Sequence, residues 1–137
     1  MKLFKFEVVT PERVFYEDEL EMVIFKAPDG EIGIMANHTP MLIVNQMCVL
    51  KMKKGNQKKY AFISEGIIEV TQDRVRAIVD VAEWPDEINV EEVMMDEKML
   101  QDKLSNEKAA DLEMKAELVA SIERAKIRRK TVESMRS

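Results

Sequence analysis

Residues 27–43 read Ala27-Pro28-Asp29-Gly30-Glu31-Ile32-Gly33-Ile34-Met35-Ala36-Asn37-His38-Thr39-Pro40-Met41-Leu42-Ile43. Two of the four glycines, two of the four prolines and the single histidine of the 137-residue chain fall in this stretch. Pro28-Asp29-Gly30 reads as a tight turn, because proline presets φ at the first central position and glycine accepts a positive φ. Ile32-Gly33-Ile34 reads as a short strand whose glycine lets another group approach closely. Asn37 to Pro40 turn again, and Met41-Leu42-Ile43 are expected to return to a core. Special backbone geometry at this density marks a surface platform held by a rigid scaffold.

Working outward, the flanking signals are strand signals. Residues 3–9 alternate partly and are rich in aromatic and β-branched side chains, and Pro11 stops them. Residues 13–16 and 20–26 read as two more strands. After the platform, 47–53 and 59–64 form a hairpin around Lys54-Gly55-Asn56. Residues 67–70 and 74–81 form another around Thr71-Gln72-Asp73. Many short strands with no early helix predict an antiparallel sandwich or barrel.

Pro85 marks a boundary. Beyond it Asn89 is the expected helix N-cap, and from Val90 onward there is neither glycine nor proline. The spacing predicts one helix over 90–104, a turn at Ser105-Asn106 and a second helix over 107–135. Leu104, Leu112, Val119, Ile122 and Ala125 supply a thin apolar seam, so the hairpin must dock to be stable. The expected organisation is α+β in two parts. An N-terminal antiparallel β-sandwich spans 1–84, a linker spans 85–89, and a C-terminal antiparallel α-helical hairpin spans 90–137. Charge divides along the second part: residues 83–113 carry 11 acidic and 3 basic groups, and residues 121–137 carry 2 and 6. The acids at the start of the first helix and the bases toward the end of the second each suit their own helix dipole.

Composition excludes several classes. The net charge of −5 does not suit a nucleic-acid binder. No apolar run approaches the roughly 20 residues of a membrane span, and the charged start does not read as a signal peptide. Cys48, the single cysteine, sits in an apolar run and reads as a buried structural thiol in a reducing setting. One histidine and one cysteine make neither a metal set nor a nucleophile–base pair. No phosphate-loop or dinucleotide motif is present. An interaction protein without metal, cofactor or catalytic residue is expected.

Two motifs carry a family resemblance. Gly30-Glu31-Ile32-Gly33-Ile34 followed by His38-Thr39-Pro40-Met41-Leu42 resembles the N-terminal domain of the epsilon subunit of bacterial F-type ATP synthases. So does Phe62-Ile63-Ser64-Glu65-Gly66-Ile67-Ile68-Glu69-Val70 followed by Val81-Ala82-Glu83. Order, spacing and length agree over nearly the whole chain. The resemblance implies a sandwich of two five-stranded sheets and a non-catalytic rotor subunit. Its partners would be the γ subunit, the c-ring and, through the C-terminal helices, the α/β hexamer. It would sit on the cytoplasmic face of the bacterial membrane, held there only through the complex.

By position, the resemblance puts Glu31 and His38 in loops facing the c-ring, with a satisfied turn histidine as the plainer reading of His38. Met41, Leu42 and the outer strands would serve packing or the γ interface. The hairpin is implied to regulate ATP hydrolysis, with Arg124, Arg128, Arg129 and Lys130 as contacts to an acidic segment of the β subunit when it extends. One motif departs. Relatives that bind ATP carry (Ile/Leu)-Asp-x-x-Arg-Ala, and here the aligned positions are Ile88, Asn89, Glu92 and Val93. A carboxylate replaces the phosphate-pairing cation, so ATP binding is not expected. Acid–base pairing between the helices is expected to hold the hairpin closed instead. The competing reading is a free-standing regulatory module that binds a different partner.

Overall fold

The structure, a computed structural model, describes residues 2–106 and 111–136. The chain divides into two units, 1–84 and 85–137. The first is built from strands β1 (Phe4–Val9), β2 (Val14–Leu20), β3 (Met22–Ala27), β4 (Gly30–Met35) and β5 (Met41–Asn45), then β6 (Cys48–Lys54), β7 (Gln57–Ile63), β8 (Gly66–Val70), β9 (Arg74–Val79) and β10 (Ala82–Glu83). They form two five-stranded sheets, ordered β2-β1-β9-β8-β5 and β10-β7-β6-β3-β4.

The period of two explains the core. On β6, Cys48, Leu50 and Met52 are buried while Lys51 and Lys53 face out. On β1, Phe4, Phe6 and Val8 point inward with Val23, Phe25 and Ile34 of the second sheet in the same cluster. Phe15 stacks on Trp84 at 4.4 Å between ring centroids, which ties the end of the unit to its second strand.

Two expectations for these strands change. The strand read over 13–16 continues to Leu20, which pairs with Phe4. The chain crosses to the other sheet at Glu21, whose N–H donates to the Lys53 carbonyl at 2.9 Å. The sandwich is also not wholly antiparallel, because β1 and β9 run parallel. A parallel pair needs a long crossover, and the whole excursion from β2 to β8 supplies it.

The platform's turns hold as read. Gly30 adopts φ +129°, and Asn37 takes φ 66° in the following turn. The close-approach glycine is a different one. A Cβ at Gly33 would meet Ile24 Cγ1 at 3.8 Å and Met22 Sδ at 3.9 Å, which is ordinary contact. A Cβ at Gly66 would fall on the Ile78 carbonyl oxygen and against Val79. The return of Met41 and Leu42 to the core does not occur either. Ile43 alone of the three is buried, because the edge strand's alternation turns Leu42 and Val44 outward and Met41 opens the strand exposed.

The second unit opens with one 3₁₀ turn at Pro85–Glu87, within the stretch read as a linker. Helix α1 is Val90–Asn106 and α2 is Leu112–Arg136. Asn89 caps α1 as expected, its Oδ1 accepting the Glu92 N–H at 3.1 Å. Ser105 and Asn106 are helical rather than a turn. The Ser105 hydroxyl donates to the Gln101 carbonyl at 3.0 Å, which satisfies a residue that otherwise favours turns. The expected helical start at residues 107–110 lies outside the described residues. Asp111 caps α2 through its Oδ1 and the Met114 N–H at 3.0 Å.

The seam differs from the one read. Leu112 and Val119 are 75% and 53% exposed, and Leu104 is half-buried. On α2 the buried positions are Leu118, Ile122, Ala125 and Val132, with Ile127 and Thr131 buried beside them. The dipole argument holds for Glu91 and Glu92 in the first turn of α1. It fails for the basic group, because only Arg136 lies in the last turn of α2 and the effect fades within one turn.

Candidate functional site

The face of a sheet turned away from its core is normally polar. The first sheet departs from this. Its register sets Val44 beside Ile67, Ile67 beside Ile78, and Ile78 beside Val9. Val44 is 64% exposed, Ile67 41% and Ile78 44%. These four side chains make one apolar row across β5, β8, β9 and β1, about 14 Å long at the usual strand spacing. Leu42 stands next to it on β5 and is also exposed. Val9, Pro11, Ile67 and Ile78 line a shallow hollow of 390 Å³.

The adjacent row is charged. Glu69 lies opposite Arg76, and Arg76 opposite Glu7. Arg76 Nε donates to Glu7 Oε2 at 3.2 Å and Arg74 Nη1 to Glu7 Oε1 at 3.4 Å. The Glu7 side chain is only 12% exposed, shielded by the two arginines that neutralise it. Exposed apolar rows of this kind are found where proteins dock on one another.

Glu31 and His38 are not brought together. Glu31, expected in a loop, is the second residue of β4 and pairs in register with Lys26. Its carboxylate lies 3.5 Å from Lys51 Nζ, with both side chains well exposed, so the pair contributes little. His38 follows the other end of β4. About 13 Å of β4 strand runs from Glu31 to Met35, and His38 follows beyond the turn at Ala36 and Asn37. His38 Nδ1 lies 2.9 Å from the Thr39 carbonyl, which can only accept, so Nδ1 donates. It shares a polar hollow with Asn37, Pro40, Gln72 and Asp73.

In the helical unit, Ile88 and Val93 are buried, while Asn89 and Glu92 are exposed. The four cations do not form one cluster. At about 100° per residue Arg124 and Arg128 share a face, and Arg129 and Lys130 are turned progressively away. Arg124 and Lys130 are exposed. Arg129 is engaged: its Nε and Nη2 donate to the two Glu97 oxygens at 3.0 and 3.3 Å, and its Nη1 to Glu133 at 3.2 Å. That arrangement holds the guanidinium charge more firmly than usual, chiefly through Glu97. Sequence reasoning missed the apolar row and the covered Glu7, since both depend on which strands are neighbours. Among the described residues no group of histidine, cysteine and carboxylates could hold a metal ion.

Residues 3–85 match the family model described as ATP synthase, Delta/Epsilon chain, beta-sandwich domain. The chain belongs to the ATP synthase delta/epsilon chain family. A relative from Caldanaerobacter subterraneus subsp. tengcongensis, an ATP synthase epsilon chain, is 38% identical over 130 residues, covering 94% of this chain and 93% of that one. The epsilon chains of Alkaliphilus oremlandii and Caldicellulosiruptor saccharolyticus are 43% and 45% identical over 88 and 89 residues. Those alignments cover 64% and 65% of this chain and 66% and 65% of theirs, just under two thirds of their length.

The fold recurs in a chain of the Euglena gracilis mitochondrial ATP synthase, from a cryo-EM structure of its OSCP/F1/c-ring. The TM-score is 0.80 at 16% identity, over 98% of this chain and 82% of that one. A chain of the Tetrahymena thermophila mitochondrial ATP synthase central stalk/c-ring gives 0.62 at 15% identity, over 96% and 97%. Within the delta/epsilon family's sandwich domain lie the whole apolar row, Glu7, Glu31 and His38. Arg124, Arg128, Arg129 and Lys130 lie outside the matched stretch.

Proposed function

We propose that this chain is the epsilon chain of an ATP synthase, a non-catalytic subunit of the central stalk that couples ion flow through the c-ring to ATP synthesis and hydrolysis. The observation that carries this is the row Val9–Ile78–Ile67–Val44, an apolar stripe, exposed at all but the half-buried Val9, on the outward face of a sheet. It docks the γ subunit. The exposed Asp29–Gly30–Glu31 end of the sandwich faces the polar loops of the c-ring, and His38, at the opposite end of β4, lies away from that contact. The chain is a peripheral part of the complex at the cytoplasmic face of the membrane. No helix among the described residues is long and apolar enough to cross a bilayer.

The helical unit regulates hydrolysis. Extended as one helix, residues 88–135 span roughly 70 Å, far enough to bring Arg124, Arg128, Arg129 and Lys130 to an acidic segment of the β subunit. ATP does not control this. Asn89 is used as a helix cap, Ile88 and Val93 are buried, and Glu92 presents a carboxylate where a phosphate needs a cation. Titration with Mg-ATP should give no saturable heat in the micromolar range.

Co-purification tests the reading. Tagged chain should capture γ and the c-ring, and Ile67→Asp should lose γ without unfolding, because Ile67 is already partly in water. A wild-type chain that captures neither would leave the free-standing regulatory module as the better account. Deleting residues 88–137 should raise ATP hydrolysis by the assembled complex, whereas an unchanged rate would remove the regulatory role and leave the coupling role.

A further inference from the structure

The seam of the helical hairpin has a regular spacing with one irregular pair of occupants. On α1 the half-buried and buried positions are Val90, Val93, Glu97, Leu100 and Leu104, at intervals of three and four. On α2 a matching series runs through Leu118, Ile122, Ala125, Arg129 and Val132, at intervals of four and three, with Ile127 and Thr131 buried beside it. This is the heptad pattern of two packed helices. Where each helix would continue it with an aliphatic residue, α1 supplies a glutamate and α2 an arginine. They meet as a two-pronged pair at 3.0 and 3.3 Å, with side chains 14% and 28% exposed. Arg129 also binds Glu133, but that contact lies within α2 and survives any separation of the helices.

We propose that Glu97 and Arg129 form a releasable catch in this seam, one that sets the register of the closed hairpin and keeps it weak enough to open. The physical basis is an asymmetry. A charge pair placed in an apolar seam selects one register at a cost in stability. Removing one partner strands the other charge and is strongly unfavourable, while replacing both by aliphatic side chains is often favourable. The pair therefore makes the closed hairpin specific without making it permanent. It also engages a cation that the regulatory reading above assigns to the β subunit. While the hairpin is closed, Nε, Nη1 and Nη2 of Arg129 all donate within the hairpin, so closure and partner contact compete for one guanidinium. The catch is a property of the hairpin alone, and only its use in regulation rests on that reading.

Hydrogen exchange of the full-length chain tests it. E97Q should speed exchange of seam amides over 118–132 at least tenfold. The double variant E97L/R129L should slow the same amides at least threefold below wild type. Sandwich amides over 48–63 report global unfolding and should not change. The reversal E97R/R129E should recover at least threefold of the loss seen in E97Q, which separates the pairing from any damage by either single change. Unchanged exchange in E97Q, opening of E97L/R129L like that of E97Q, or no recovery on reversal would each overturn the catch. In the assembled complex E97Q should lower ATP hydrolysis and E97L/R129L should raise it. If the exchange results hold and hydrolysis stays constant in both, the catch stands and the regulatory reading is the part that fails.

Discussion

Glu7 and Arg76 are neighbours on the parallel pair β1 and β9, and the Arg76 Nε–H reaches the Glu7 carboxylate at 3.2 Å on the outward face of the sheet. Arg74, two residues earlier on β9, covers the other oxygen at 3.4 Å. The carboxylate is almost out of water while its cations are about a third exposed, so two partly solvated charges shield one acid. Such a cluster supports the alignment of β1 on β9 that the buried pairs Phe6–Val75 and Val8–Ala77 set, where the chain has no turn to do so.

Glu7→Gln should therefore cost about 1–2 kcal/mol, the range for a charged hydrogen bond discounted for the exposure of the arginines. Urea unfolding at low salt measures it. The difference between variant and wild type should shrink in 1 M salt, where charges are screened beyond about 3 Å. A variant as stable as wild type at low salt would mean the pairing contributes nothing.

The two conspicuous glycines should answer very differently to the same change. Gly66→Ala drives a methyl onto the Ile78 carbonyl, which is rigid sheet backbone, and should cost about 3 kcal/mol or more. Gly33→Ala adds a methyl at ordinary contact distance and should change stability by no more than about 0.5 kcal/mol. Thermal unfolding of the two variants side by side decides this.

Asn89→Ala removes the cap of α1 and should cost about 1 kcal/mol of helix stability, seen as faster exchange of the Glu92 and Val93 amides. Asn89→Asp keeps the oxygen acceptor and adds a charge at the positive end of the dipole, so exchange there should remain close to wild type. Equal losses in both variants would show that the cap oxygen is not what holds the helix start.

Burial pushes the Cys48 thiol up to about 11, and burial beside Asp18 pushes the Tyr16 hydroxyl up to about 12. Both groups fold in their neutral form. The stability they provide is complete below their ordinary pKa values and is lost as pH rises toward the folded ones. The sandwich melting temperature should be flat through neutral pH and fall above about pH 9. Cys48→Ala should flatten the first part of that fall, between about pH 9 and 11. The thiol should also resist maleimide at pH 8 until the chain unfolds.

Local chemistry was legible in the residues themselves. Pro28-Asp29-Gly30 produces its turn, Asn89 its cap and the alternating 48–53 run its buried face, because each depends only on neighbours in sequence. The two five-stranded sheets and the family were legible through the motifs around Gly30 and Gly66. The helical seam was read one residue out of phase at Val119, because Leu118 and Val119 are equally apolar and only the partner helix selects between them. Ser105 and Asn106 looked like a turn because their propensities favour one, yet a back-bonded hydroxyl carries the helix through them.

By itself, then, the order of residues determined most of the elements and the division near Pro85. The tertiary structure decided the rest. It made β1 and β9 parallel, lined Val9, Ile78, Ile67 and Val44 into one row, placed Glu31 and His38 at opposite ends of a strand, and set Arg129 against Glu97. The reason is distance along the chain: β1 and β9 are neighbours across more than sixty residues, and Glu97 and Arg129 across 32. No local periodicity carries information about which distant segment will lie alongside.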